Sequence, residues 1–316
     1  MENKKHFRPR SFTFSFFIFL FLLFLCTPIM TETAEMEDLY EIPEIVVYGE
    51  GFIPLDKNAF AYVLTDTKIM RPIIDIIPVN QLKSWQAAQV IDRTEIAISA
   101  LFSSDTGRFF QIAGFGSYPN LIVNVALAID KNWRYAFSEK DHYWYSDKDR
   151  LSVSLSSDEV YIAGWRRTRV NPVYEEPGVK MPEGFIAFRH RSGESAPLSL
   201  WLENRDSILD RMFNGEGIKI NIPIERLYLN LYHVENSVFK ADLMLQAKNL
   251  LPQESVVMSL SSGSEEPLNS ESNSVLKTLF FVNSHVLNDR NVEFQSVILS
   301  EEEIASLLKV FMKYWK

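Results

Sequence analysis

The sequence predicts an α+β protein: two βαββαβ halves of ferredoxin-like order, with antiparallel sheets, behind an N-terminal signal segment. Three observations carry this. β-prone runs alternate with helical ones along residues 59–316. A Pro-rich stretch, "NPVYEEPGVKMP" (171–182), divides that region. The order before it returns after it: strand, helix, hairpin, helix, strand. The halves share little residue identity, so the repetition is architectural.

The signal segment covers residues 1–30. Lys4, Lys5, Arg8 and Arg10 precede the uncharged run "SFTFSFFIFLFLLFL" (11–25), which is the pattern of an export signal. It is short for a spanning helix, which needs about 20 residues. Cys26, the only cysteine, follows at once. It is a candidate for lipidation, although Leu25 is large for the position before a lipid-bearing cysteine. Ordinary cleavage near Thr31 and Thr33, or retention as a membrane anchor, are the other two fates of this segment.

Composition narrows the rest. The chain's −9 becomes −11 once the four bases and two acids of residues 1–34 are set aside. That balance argues against nucleic acid, or an anionic membrane, as a long-range electrostatic partner. With one cysteine there is no intrachain disulfide, so the fold must bury a real core.

Residues 31–58 read as an acidic linker. Within it Ile45-Val46-Val47-Tyr48 reads as an edge strand, and resembles the short segment by which outer-membrane receptors contact an energy-coupling partner. The first half, 59–170, opens with the strand "AFAYVLTDT". A helix over 68–77 is capped by Asp66 or Thr67 and stopped by Pro78, and a second helical piece spans 79–90. "TEIAISALF" and "GRFFQIAGF" form a hairpin around "SSDT". The helix 118–130, "YPNLIVNVALAID", is amphipathic or buried, with Pro119 in its first turn. "WRYAFSE", "HYWYS", "LSVSLSS" and "EVYIAGW" are short antiparallel strands.

The linker 171–182 leads to the second half, 183–316. "APLSLWLE" is a strand and "NRDSILDRMF" a helix capped at Asn204 or Asp206. "ERLYLNLYHV" and "VFKADLMLQA" form a hairpin. A helical region begins at Pro252 and resumes at 274–287, and "NVEFQSVIL" is the last strand. The final helix, "SEEEIASLLKVFMKYWK", starts with a Ser300/Glu303 capping box. Ile304, Leu307, Leu308, Phe311 and Trp315 share one face, which suits packing on the sheet or contact with a bilayer.

Signatures of chemistry are few. The histidines 6, 142, 190, 233 and 285 make no zinc-enzyme spacing, and no nucleophile elbow or phosphate loop occurs. "GFGSYPN" (114–120) is a tight strand-to-helix turn, with an anion-holding role as the alternative. "WRRTR" (165–169) is a basic cluster in a turn. "DHYWYSDKD" gathers Asp141, Tyr143, Trp144, Tyr145 and Asp147, residues able to stack on and hydrogen-bond a sugar. The same alternation suits a strand with one face in the core. No cofactor or metal is expected.

The late cysteine of the leader, the acidic linker and the order "FFQIAGFGSYP", "KNWRYAF", "YWYS" resemble cell-envelope lipoproteins of the spirochaete type, over about residues 59–165. The resemblance implies an exported protein held at a membrane by its N-terminal segment or a lipid. It also implies that amphipathic helices engage lipid in some members, and it carries over no catalytic residue. The expected function is therefore a non-enzymatic binding or assembly role in the envelope. Direct lipid engagement through the helices at 118–130 and 300–316, and carbohydrate binding or turnover at 141–149, are the alternatives.

Overall fold

The computed structural model describes residues 52–53, 59–76, 92–104, 107–137, 142–148, 151–164, 179–193, 195–220, 222–235, 238–250, 258–260, 285–288 and 290–314. The leader with Cys26, most of the acidic linker, the helical piece at 79–90, Asp141, "WRRTR" and most of the Pro-rich stretch lie outside them.

In chain order β1 (Phe52–Ile53) lies in the linker, and the first half opens with β2 (Ala61–Asp66), α1 (Arg71–Ile76), β3 (Thr94–Ser104) and β4 (Gly107–Gly116). It continues with α2 (Asn120–Ile129), β5 (Arg134–Phe137), β6 (His142–Ser146), β7 (Leu151–Leu155) and β8 (Glu159–Gly164). Then come β9 (Val179–Lys180), α3 (Glu183–Arg189), β10 (Leu198–Glu203), α4 (Ile208–Gly215), β11 (Ile218–Ile220) and β12 (Ile224–Glu235). The chain closes with β13 (Val238–Ala247), β14 (Met258–Leu260), β15 (His285–Asn288), β16 (Asn291–Ser300) and α5 (Glu301–Tyr314).

The α+β class with antiparallel pairing holds, but separate ferredoxin-like halves do not form. One twelve-stranded sheet runs β15-β16-β13-β12-β10-β2-β3-β4-β8-β7-β6-β5. A ferredoxin-like half would place its first strand between its third and fourth. Here β2 pairs with β3 on one side (Tyr62↔Ala100) and with β10 on the other (Tyr62↔Trp201). The first strands of the two halves pair with each other, so one continuous sheet extends in both directions from a β2/β10 seam. The repeated element order survives about that seam: β2, β3, β4 and β8 on one side, β10, β12, β13 and β16 on the other. β1 pairs with β9, and β11 with β14, in two small ladders beside it.

Residue alternation buries both faces of the sheet. Ala61, Ala97, Leu101, Phe110, Ile112, Leu202, Leu229 and Leu243 point to one layer, where α1, α2, α4 and α5 supply Ile73, Val123, Leu127, Leu209, Phe213, Ile304 and Leu307. Tyr62, Leu64, Ile98, Phe102, Trp201 and Tyr228 point the other way, to Phe185 and Phe188 of α3. Sequence reasoning missed α3, a short helix begun after Pro182. Gly184 lets it approach the sheet, since a Cβ there would meet the Tyr228 hydroxyl at 2.9 Å. Past its end, Arg191 pairs with the buried Glu293 at 2.5 Å.

The capping expectations resolve individually. The Asp66 carboxylate accepts the Ile69 N–H at 3.0 Å ahead of α1. Asn204 accepts the Leu209 N–H at 2.9 Å, while Asp206 and Ser207 take left-handed φ of 56° and 53°. A short 3-10 turn over Arg205–Ser207 therefore precedes α4, which begins at Ile208. The Ser300/Glu303 box forms as predicted, with N–H···O distances of 2.8 and 3.2 Å. α5 packs on the sheet: Ile304, Leu307 and Val310 are buried, each contributing about 1.5–3 kcal/mol. Residues 285–287, expected at the end of a helix, belong instead to strand β15, which pairs with β16.

Candidate membrane-contact surface

The helix α2 has the sequence Asn-Leu-Ile-Val-Asn-Val-Ala-Leu-Ala-Ile and carries no charge. Successive helical residues rotate by about 100°. Val123 and Leu127 therefore share one side, and they are buried in the sheet-packed core. Leu121, Val125, Ile129 and Ile122 fall on an arc of about 100° on the opposite side. All four are exposed, Leu121 at 78% and Ile129 at 76%. The result is a solvent-facing apolar ridge about 12 Å long. Contiguous exposed apolar surface of this kind marks a contact site more often than isolated leucines do.

Neighbouring elements hold the ridge in place. Trp144 of β6 donates its indole Nε1–H to Asn124 Oδ1 at 2.6 Å. Asn124 Nδ2 in turn donates to the Asn120 carbonyl at 2.9 Å and to the Asn120 side chain. Tyr135 of β5, 51% exposed, lies against Trp144 with ring centroids 4.9 Å apart and so extends the apolar surface onto the sheet edge. β5 is the last strand of the sheet among the described residues.

The turn before α2 is built by close packing. A Cβ on Gly116 would lie 1.8 Å from the Arg93 carbonyl oxygen, and one on Gly114 would meet Val160 and the Tyr118 hydroxyl. The "GFGSYPN" glycines thus serve backbone approach. Tyr118 is buried, with its hydroxyl 3.0 Å from Thr94 Oγ1. Burial pushes its phenol well above the usual range, against a smaller opposite pull from that hydrogen bond. Tyr62 is likewise pushed up, to about 12, by burial.

At the other end, α2 closes through a turn in which Trp133 N–H donates to the Asp130 carbonyl at 3.0 Å. The Asp130 carboxylate accepts the Asn132 backbone and side-chain N–H groups, both at 2.9 Å. Lys131 and Arg134, both exposed, bracket this turn. Arg134 reaches Asp147 at 3.9 Å, with both side chains more than half exposed.

The structure separates the aromatic cluster singled out in the sequence. Trp144 packs toward the helix layer, whereas Tyr143 joins the opposite core and lies 6.3 Å from Tyr145. The three rings do not share one platform. Sequence reasoning named the 118–130 helix but missed Asn124 and Tyr135. The available signal was an uncharged helix apolar on every side but that of Asn124, a pattern that demands burial on more than one face. Among the described residues no helix is long and apolar enough to cross a membrane, and no three His, Cys, Asp or Glu residues cluster to hold a metal.

A family model described as the outer membrane-associated lipoprotein TP0453 matches residues 55–261. Solved structures of TP0453, a spirochaete (Treponema) envelope lipoprotein, share the fold. Its crystal form III superposes with a TM-score of 0.59 at 16% identity, covering 80% of this chain and 95% of that one. Crystal form I gives 0.59 at 15% identity over 83% and 96%. Crystal form IV gives 0.55 at 16% over 80% and 94%. No curated protein matches the chain.

Proposed function

From the premise that this chain belongs to the family of the outer membrane-associated lipoprotein TP0453, and so is an exported protein of the cell envelope, we propose that it lies on a lipid surface through the α2 ridge and acts there by binding rather than catalysis. The ridge carries this reading. Four aliphatic side chains are held outward by a helix whose other side is locked in the core. A protein kept at a membrane has a bilayer as the apolar phase nearest to hand. A helix lying in the interface places its apolar face about 5–10 Å into the headgroup and acyl boundary. The sheet behind α2 replaces the polar face such a helix normally turns to water.

In the same reading Cys26 carries the lipid that tethers the chain. One acyl chain alone gives marginal, reversible membrane binding, and stable attachment takes a second element. The ridge supplies that second element.

Flotation with liposomes tests the ridge. The chain lacking residues 1–30 floats with the vesicles, and Leu121→Asp/Ile129→Asp stays at the bottom of the gradient while keeping its circular dichroism. Native protein that stays at the bottom overturns the reading. Labelling with a palmitate analogue tests the tether: Cys26→Ser protein that still takes the label ends the assignment of Cys26.

A further inference from the structure

Resting on the lipid reading of α2, we propose that the ridge selects bilayer whose headgroups are loosely packed, as on strongly curved membrane, and is indifferent to headgroup charge. Two observations carry this. The ridge is fixed at a shallow depth, and among the described residues no pair of cations stands beside it.

A helix that folds on the membrane can roll and settle to suit the lipid. α2 is fixed before it arrives: Val123 and Leu127 are buried in the core, and Trp144 donates to Asn124 at 2.6 Å. Strand register sets Tyr135 opposite Trp144, on the α2 side of the sheet. Tyr135, with an apolar ring and a polar tip, has the character of side chains that stay at headgroup depth. What enters the hydrocarbon is then the side chains of Leu121, Ile122, Val125 and Ile129, and not the helix itself. Four side chains along about 12 Å make a shallow wedge, and a wedge at that depth needs headgroups already spread apart.

Interfacial helices commonly carry Lys and Arg on their polar face, which adds attraction to anionic lipid. α2 carries no charge from Asn120 to Ile129, and the charges at its ends offset one another. Ahead of it, Ser117 N–H donates to the Arg93 carbonyl at 3.2 Å and Gly116 N–H to the Asp158 carbonyl at 2.9 Å, so one base and one acid flank that end. Behind it, Lys131 follows Asp130. Arg134 is registered with Tyr145, so alternation turns it to the other face of the sheet, where it reaches Asp147 at 3.9 Å. Lys148 follows Asp147 in the turn after β6. The whole chain stands at −9, so no longer-range attraction to anionic lipid replaces the missing cations. Apolar insertion is left to distinguish one membrane from another, and lipid packing sets how easily it occurs.

The test places an environment-sensitive fluorophore on the ridge, as Val125→Cys in the full chain carrying Cys26→Ser, so that emission reports immersion of α2 whatever the N-terminus does. Small sonicated and large extruded vesicles of dioleoylphosphatidylcholine are compared, then large vesicles stiffened with cholesterol or containing phosphatidylglycerol. Fully burying one aliphatic side chain shifts binding by about tenfold or more. Small vesicles are therefore expected to reach half-maximal immersion at about tenfold less lipid than large ones. Cholesterol is expected to raise the lipid required, and phosphatidylglycerol to leave it unchanged at low and at high salt. Equal immersion in small and large vesicles overturns the packing proposal and leaves the lipid reading standing. A salt-sensitive gain with phosphatidylglycerol overturns it too, since headgroup charge then selects the membrane. If the ridge immerses in no vesicle, both fall.

Discussion

Single residues decide whether α2 can present its ridge. Asn124 is the one polar residue inside the helix after its first position, and it takes the Trp144 indole N–H at 2.6 Å. Removing that acceptor leaves a half-buried donor unmatched. Asn124→Leu should therefore cost about 1 kcal/mol in urea unfolding, with a change in tryptophan emission that marks the loosened Trp144. Gly116 tolerates no side chain beside the Arg93 carbonyl. Gly116→Ala should destabilise by about 1–3 kcal/mol or more, as overpacking against backbone does, and a lowered melting temperature would show it. The buried tyrosines set an alkaline limit. Their phenols ionise at 10.0 in the unfolded chain and higher in the folded one. The folded state keeps the protons, so this stability is full below pH 10 and is lost as pH rises through the folded values. The urea midpoint should fall from pH 10 upward, and fall less steeply in Tyr118→Phe.

At the scale of elements, α2 and α5 make an instructive pair. Both were singled out in the sequence as apolar enough to meet a membrane. In α5 the described apolar residues Ile304, Leu307 and Val310 lie inside the core. In α2 the core takes one side and the other remains uncovered. Truncations should separate the two sides. Leu127→Ala should cost about 2–5 kcal/mol, whereas Leu121→Ala should change stability by less than about 0.5 kcal/mol and reduce vesicle binding. Denaturant titration and flotation on the same samples check both. The helices α1, α2, α4 and α5, the β3–β4 and β12–β13 hairpins and the α5 capping box were legible because each is written in local periodicity and end chemistry. The strand at 285–288 was not, since a four-residue run with two apolar residues, Val286 and Leu287, carries no period long enough to choose helix or strand. Nor was α3, which is shorter than two turns and owes its place to Gly184 against Tyr228.

On the scale of the whole molecule, element order was readable and strand adjacency was not. The repeat strand–helix–hairpin–helix–strand is consistent with several sheets, and nothing local to β2 says that its second neighbour lies some 140 residues on. That neighbour joins the halves through Trp201, buried and 5.6 Å from the Tyr62 ring. Trp201→Ala should cost about 3–5 kcal/mol and lower amide protection in β3 and β12 alike, since both flank the seam. Protection lost on only one side, in hydrogen exchange, would argue for two independent folding units. The kinship with spirochaete envelope lipoproteins was visible in the leader and in short aromatic phrases, but the surface it pointed toward emerged only once both sides of α2 could be placed. The seam has a mechanical consequence for a tethered protein. A pull arriving from the N-terminal side reaches the large sheet at β2, its middle, and not at β5 or β15, its rims. Such a load runs along a strand bonded on both sides and shears its bonds together instead of peeling them one by one, so drag on the membrane side is borne by the part of the molecule best able to resist it.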